Sequence, residues 1–187
     1  MKIISGKLRG RLLVGPKDSF IRPTLNRAKE MIFSTLNSIL LKNNKSMSDS
    51  LVLDCFCGSG ALGIEAISRG ARKTIFVDNS TQALNLCKLN CTKLNILDIS
   101  EFIKSDLENL AFHSQKDFID IFFFDPPYNK VKIDQILERF NHEKIIKKNA
   151  VGIIELPKES LQLELPGFHL LKKKIVSGAE FLFVTKL

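Results

Sequence analysis

Apolar residues recur at helical spacing over residues 24–42, where Ala28, Met31, Ile32, Thr35, Leu36, Ile39 and Leu40 fall on one face, the signature of an amphipathic helix. Thr24 is its expected cap. After a polar, aperiodic linker at 43–50, short apolar runs begin to alternate with helical segments. Strands are predicted at 51–56, 74–77, 101–104, 119–124 and 151–156, and helices at 60–69, 81–94 and 132–147. Strands separated by helices pair in parallel through right-handed crossovers, which gives a doubly wound α/β sheet. The last two apolar runs, 168–176 and 181–185, are joined by only Ser177, Gly178, Ala179 and Glu180. That connection is too short for a helix, so the two form an antiparallel hairpin. Residues 2–14 read as a short basic hairpin turning at Gly6 and Gly10, with Arg9 and Arg11 on one face. The expectation is a mostly parallel seven-stranded sheet closed by a C-terminal antiparallel hairpin, all in one domain. Residues 1–42 form a basic hairpin and helix, and 51–187 the core.

A chain of 187 residues with 44% hydrophobic content is long enough for one sizeable core. Residues 1–10 lack the apolar centre of a signal peptide and no apolar run is long enough to span a bilayer, so a cytoplasmic, non-membrane protein is expected. Charge adds a partner. The formal net charge is +8, and residues 1–30 hold eight basic residues against Asp18 and Glu30. A concentrated basic segment points to a polyanion, nucleic acid first and an anionic membrane surface second. Arginine at 9, 11, 22 and 27 favours phosphate contact. Arg22, Arg27 and Lys29 also cluster at the start of the first helix, where free N–H groups favour an anion. Cys55, Cys57, Cys87 and Cys91 do not match zinc-knuckle spacing and are read as buried small apolar residues, with no metal.

The run at 121–128, Ile-Phe-Phe-Phe-Asp-Pro-Pro-Tyr, has the composition of a strand buried on both faces. It ends at Asp125. Pro126 and Pro127 remove two backbone donors and stiffen the exit from the strand. The turn therefore offers acceptors: the Asp125 carboxylate and the Pro126 carbonyl can take two N–H bonds from one amino group, and the Tyr128 ring offers a surface on which a base can stack. Asp-Pro-Pro taken alone also fits a tight turn with no chemistry.

Gly58-Ser59-Gly60-Ala61-Leu62-Gly63 follows a predicted strand and opens a helix, and Asp78 stands twenty residues after Gly58. This spacing fits a dinucleotide fingerprint. Asp54, four residues before the loop, would face the pyrophosphate of NAD with a like charge. S-adenosylmethionine reverses that preference, because its α-ammonium and sulfonium are attracted to Asp54. Asp78 would bind the ribose hydroxyls and Asp106 the adenine amino group. With Asp125, all of these acids stand at the carboxyl ends of strands, where ligands bind in such sheets.

Leu53-Asp54-x-Phe56-x-Gly58-Ser59-Gly60-Ala61-Leu62-Gly63-x-Glu65-Ala66 together with Asp125-Pro126-Pro127-Tyr128 resembles the class I, Rossmann-like, amino-directed methyltransferases. Ile4-Ser5-Gly6-x-x-Arg9-Gly10-Arg11 and Arg22-Pro23-Thr24-x-x-Arg27-x-x-Glu30-x-x-Phe33 narrow the resemblance to the RsmD family. It implies transfer of a methyl group from S-adenosylmethionine to the N2 amino group of a guanine in 16S rRNA, by a monomer acting on a small ribosomal subunit or an assembly intermediate. The candidate catalytic residues are Asp125, Pro126, Pro127 and Tyr128. Those for the cofactor are Asp54, Phe56, Gly58, Ser59, Gly60, Asp78, Asn79, Asp106 and Leu107, and those for RNA are Lys7, Arg9, Arg11, Arg22 and Arg27. Asp125 is expected to act as a positioning acceptor that needs no raised pKa. Cys57, Asp78 and the 177–180 turn depart from the family pattern. An amino-directed enzyme for DNA adenine or protein glutamine, an NAD-dependent oxidoreductase and a non-catalytic RNA-binding protein are the competing functions.

Overall fold

The computed structural model describes residues 1–15, 23–107, 118–126, 132–158 and 163–187, the side chains of 23–25 excepted. Seven strands form one sheet in the order β3-β2-β1-β4-β5-β7-β6. They are β1 (Leu51–Cys55), β2 (Lys73–Asp78), β3 (Ser100–Lys104), β4 (Ile119–Phe124), β5 (Ile146–Pro157), β6 (Phe168–Val176) and β7 (Ala179–Lys186). The first five pair in parallel, and β7 lies antiparallel between β5 and β6. This is the expected doubly wound sheet with its terminal hairpin. The chain reverses direction of travel across the sheet between β1 and β4, so the carboxyl ends of these two central strands frame the crevice where such sheets bind ligands.

The helices are α1 (Pro23–Lys42), α2 (Ala61–Ser68), α3 (Thr81–Lys93) and α4 (Ile133–His142). The apolar face of α1 carries Ile32, Phe33, Leu36 and Leu40 onto Val52, Ile121 and Phe123 of the central strands. The opposite face of the sheet meets α4 through Phe122, Phe124, Ile136, Leu137 and Phe140. β1 and β4 are thus covered on both sides, which is why their sequences read as continuous apolar runs. Within β5 Gly152 lies beside Phe122, where a Cβ would fall 2.0 Å from the ring.

Three boundaries differ from expectation. The first helix starts at Pro23, a residue suited to a first helical turn because its missing N–H needs no partner there; Thr24 lies inside the helix rather than at the cap. α4 stops at His142, where Lys144 turns left-handed with φ 54° and the Ile145 N–H reaches back to the Phe140 carbonyl at 3.1 Å. That closure ends the helix, as in a Schellman motif, and frees Ile146 to begin a longer β5. The basic N-terminal hairpin closes by a single antiparallel bridge, Lys2 to Leu12. No ladder extends from it because the amides of Ile4, Ser5, Lys7 and Leu8 are taken by Glu65 and Ser68 of α2.

Among the described residues, no helix is long and apolar enough to cross a membrane.

Candidate active site

The crevice begins where β1 ends. After Cys55 the chain turns left-handed at Phe56, with φ 57°, a conformation uncommon for a bulky residue and a mark of local strain. Gly58 and Gly60 are also left-handed, at φ 53° and 81°. A Cβ on Gly58 would meet nothing within 4 Å, leaving an open approach to the backbone, whereas one on Gly60 would press the Cys87 sulfur at 2.5 Å. Gly63 serves close packing, since a Cβ there would come within 2.4 Å of Phe76 and 2.9 Å of the Asp54 carboxylate. The loop is therefore open toward the crevice and tight against the sheet.

Two acids hold this loop. Asp54 is 2% exposed, and its Oδ2 accepts the Gly63 N–H at 2.8 Å. Burial pushes its pKa well above the usual carboxylate range; the Gly63 hydrogen bond opposes this, and the charges of Asp125 and Asp78 add to it. A cationic ligand would relieve the cost of ionising such a carboxyl group. Asp78 accepts the Gly58 N–H at 3.0 Å through Oδ2 and the Ser80 N–H at 2.9 Å through Oδ1. Each oxygen keeps a lone pair for a further donor.

A cleft of about 260 Å³ runs between the glycine loop and the ends of β4 and β5. It is lined by Asp54, Phe56, Cys57, Gly58, Ser59, Ala61 and Leu62 on the loop side, by Ala28, Lys29 and Ile32 of α1, and by Met1, Asp125 and Glu155. The structure thus brings Asp54, Phe56, Gly58, Ser59 and Asp125 to one cavity. Gly60 is buried behind the loop, and Pro126 is buried beside Asp125. Asp78, Asn79, Asp106 and Leu107 do not line the cleft. Asn79 and Asp106 are exposed at the ends of β2 and β3, and Leu107 is 2% exposed in the core. Pro127 and Tyr128 lie outside the described residues.

Glu155 joins these residues without having been expected from the sequence. The parallel register pairs Phe124 with Ile154, so Asp125, just past the end of β4, stands beside Glu155, which is still within β5 and paired with Phe181 of β7. Its signal in the sequence is the same as for the other acids, a carboxylate closing an apolar run at 151–154. Asp125 is exposed as a residue and lines the cleft. Burial first, then the charge of Glu155 and a hydrogen bond with it, push its pKa up to about 7. The positioning role expected for Asp125 needs no raised pKa; burial and this neighbour raise it all the same.

The basic residues divide. Lys7, Arg9, Arg11 and Arg27 are exposed, and Arg11 also donates to the Lys93 carbonyl at 3.3 Å. Arg22 lies outside the described residues. Lys29, expected to join a phosphate site, is instead 4% exposed. Its Nζ donates to the Lys2 carbonyl at 2.7 Å and pairs with Glu65 at 3.5 Å. Burial lowers its pKa, and Glu65 counteracts that effect. Glu65 itself is fully buried, accepting the N–H groups of Ile4 and Ser5 and the Arg69 Nε. The four cysteines are free and buried, in keeping with their reading as small core residues.

Comparison with known proteins agrees with this geometry. Residues 1–185 match the model of the family described as conserved hypothetical protein 95. The ribosomal RNA small subunit methyltransferase D of Buchnera aphidicola (subsp. Acyrthosiphon pisum) is 34% identical over 175 residues, covering 94% of this chain and 87% of that protein. Its namesake from Haemophilus influenzae is 31% identical over 176 residues, covering 93% and 88%. The solved structure of the "putative methyltransferase yhhF" from Escherichia coli superposes with a TM-score of 0.83 at 25% identity, covering all of this chain and 97% of that one. With the family model spanning nearly the whole chain and relatives above 30% identity covering most of it, the chain belongs to the conserved hypothetical protein 95 family, the RsmD family.

Proposed function

We propose that this protein transfers the methyl group of S-adenosylmethionine to the exocyclic N2 of a guanine in small-subunit rRNA. The observation that carries this reading is that Asp125, at the end of β4, opens onto the same cleft as Asp54 and the glycine loop. Donor and acceptor pockets are therefore one space. Bound there, S-adenosylmethionine supplies an electrophilic methyl group. Asp54 suits its cationic amino acid part, Phe56, Gly58, Ser59 and Gly60 form the open backbone beside it, and Asp78, Asn79, Asp106 and Leu107 are the candidates for the nucleoside. The same buried Asp54 disfavours a pyrophosphate, which weakens the NAD-dependent reading of the glycine loop.

On the acceptor side, guanine N2 is a poor nucleophile because its lone pair is delocalised into the ring. Asp125 and the Pro126 carbonyl take its two N–H bonds and favour a pyramidal nitrogen whose lone pair points into the cleft, a gain of orientation and preorganised polarity. Pro127 and Tyr128 complete the candidate set, and stacking of a base on a tyrosine ring is worth about 1–3 kcal/mol. Extruding a base costs a few kcal/mol, which favours an exposed or loop guanine. Relatives named small subunit methyltransferase D support rRNA as the partner, with the protein acting as a cytoplasmic monomer on a small subunit or assembly intermediate.

Methyl-labelled S-adenosylmethionine incubated with small subunits from cells lacking the modification is expected to label one guanine, mapped by nuclease digestion and mass spectrometry. Labelling of adenine or of a protein would replace the substrate class, and tight NAD binding without transfer to any ribosomal particle would overturn the reading. Replacing Arg9 and Arg11 with alanine is expected to weaken RNA binding and to flatten the slope of log affinity against log salt by about 0.7–0.9 for each phosphate these side chains neutralise. An unchanged slope in a binding titration from low to moderate salt would remove the N-terminal loop from the RNA interface.

A further inference from the structure

We propose that Glu155 is a positioning residue for the methyl-transfer reaction: it shares one proton with Asp125, and release of that proton frees Asp125 to accept the N–H bonds of the substrate amine. The inference rests on the proposed methyl-transfer reading and extends it to a residue and a pH dependence. Its basis is geometric. The parallel register of β4 and β5 sets Asp125 beside Glu155, and both line one cleft. An ionised carboxylate has no donor, so a bond between two carboxyl groups requires a proton on one of them. Like charges so close cannot both ionise at the ordinary pH, and the pair titrates as a unit.

The other charged groups lining the cleft among the described residues do not supply a substitute counter-charge. Asp54 is itself an acid, held above the usual carboxylate range by burial, Lys29 is engaged with Glu65 and the Lys2 carbonyl, and the amino terminus of Met1 has its pKa lowered by the burial around it and by the charge of Lys29.

In the singly protonated pair, the shared proton occupies an Asp125 lone pair. Once that proton has left to solvent, Asp125 takes the amine N–H groups. N2 forms the new N–C bond as the methyl C–S bond breaks, its electrons leaving with sulfur. The surplus proton of the methylated amine then passes to the carboxylate pair and on to water.

The first test needs no substrate. Carbon-13 NMR of the labelled carboxyl groups in the intact protein is expected to show Asp125 and Glu155 titrating together, with the last proton leaving near pH 7. In Glu155→Gln the Asp125 midpoint is expected to fall by about one pH unit or more, because the like charge is gone while burial remains. Single-turnover methyl transfer should rise with pH through the same midpoint, and its limb should move down in Glu155→Gln and stay near neutrality in Glu155→Asp. An Asp125 midpoint of about 4 in the unaltered protein, the ordinary carboxylate value, would overturn the inference without any variant being made. So would an Asp125 midpoint or a rate limb that Glu155→Gln leaves in place. Shared titration with no transfer to any rRNA would instead overturn the link to methylation and the substrate reading, while the proton-sharing pair stood.

Discussion

Glu65→Ala is expected to lower the unfolding free energy by about 3–5 kcal/mol, the cost of removing one partner from a buried ionic network. The side chain is fully buried. It accepts the Ile4 and Ser5 amides at 2.9 and 3.0 Å, pairs with Arg69 at 2.9 Å, and neutralises Lys29 at 3.5 Å. Alanine would leave the Lys29 ammonium buried against the Lys2 carbonyl alone and two backbone donors without acceptors. Against a total stability of about 5–15 kcal/mol for a domain, this loss is a large fraction of the whole and lowers the midpoint of urea unfolding in proportion. Glu65→Gln keeps the acceptor oxygen and loses the charge, so its midpoint should fall between the two. A loss below about 1 kcal/mol for alanine, the value of an exposed ion pair, would mean that the network contributes nothing beyond its exposed members.

The second large effect falls on activity and spares binding. Asp125→Ala is expected to reduce methyl transfer roughly a hundredfold to a thousandfold, the usual loss when one preorganised polar group aimed at the reacting centre is removed. Equilibrium dialysis with labelled S-adenosylmethionine should give an affinity within about threefold of the unaltered protein, since ground-state contacts to the donor are assigned to Asp54 and the glycine loop. Loss of donor binding by a folded variant would move Asp125 from the amine to the cofactor.

The strands and the acids at their ends are legible in the sequence because each signal is local. Leu51-Val52-Leu53 followed by Asp54, and Ile121 to Phe124 followed by Asp125, are apolar runs closed by a carboxylate, and the alternation with helices orders them into one sheet. Glu155 carries the same local signal after Ile153 and Ile154 but lacks the two prolines that single out Asp125; only the β4–β5 register shows that it stands against that residue. Lys29 misleads for a different reason. Its position near a helix start suggests a surface cation, and nothing within a few residues announces Glu65, which meets it only when α1 and α2 pack on the same face of the sheet. The hairpin at 2–14 fails as a ladder on the same ground, its amides being claimed by side chains about sixty residues away. The end of α4 is hidden because Lys144 adopts a left-handed turn that its residue type does not advertise.

The clasp of the N-terminal loop on α2 has a consequence for how this molecule can be divided. Ser68 accepts the Leu8 amide through Oγ, donates its hydroxyl proton to the Ser5 carbonyl, and offers its own carbonyl to Lys7; Gly6 lies so close to that carbonyl that a Cβ would overlap it. The loop that carries Lys7, Arg9 and Arg11 is therefore bolted to the far end of the helix whose near end follows the glycine loop. A truncated catalytic core that begins at β1 would not be a smaller version of the enzyme with its basic arm removed. It would be a sheet with an exposed seam, and displacement of the arm by a bound polyanion would be felt along α2, one rigid rod, at the opposite end.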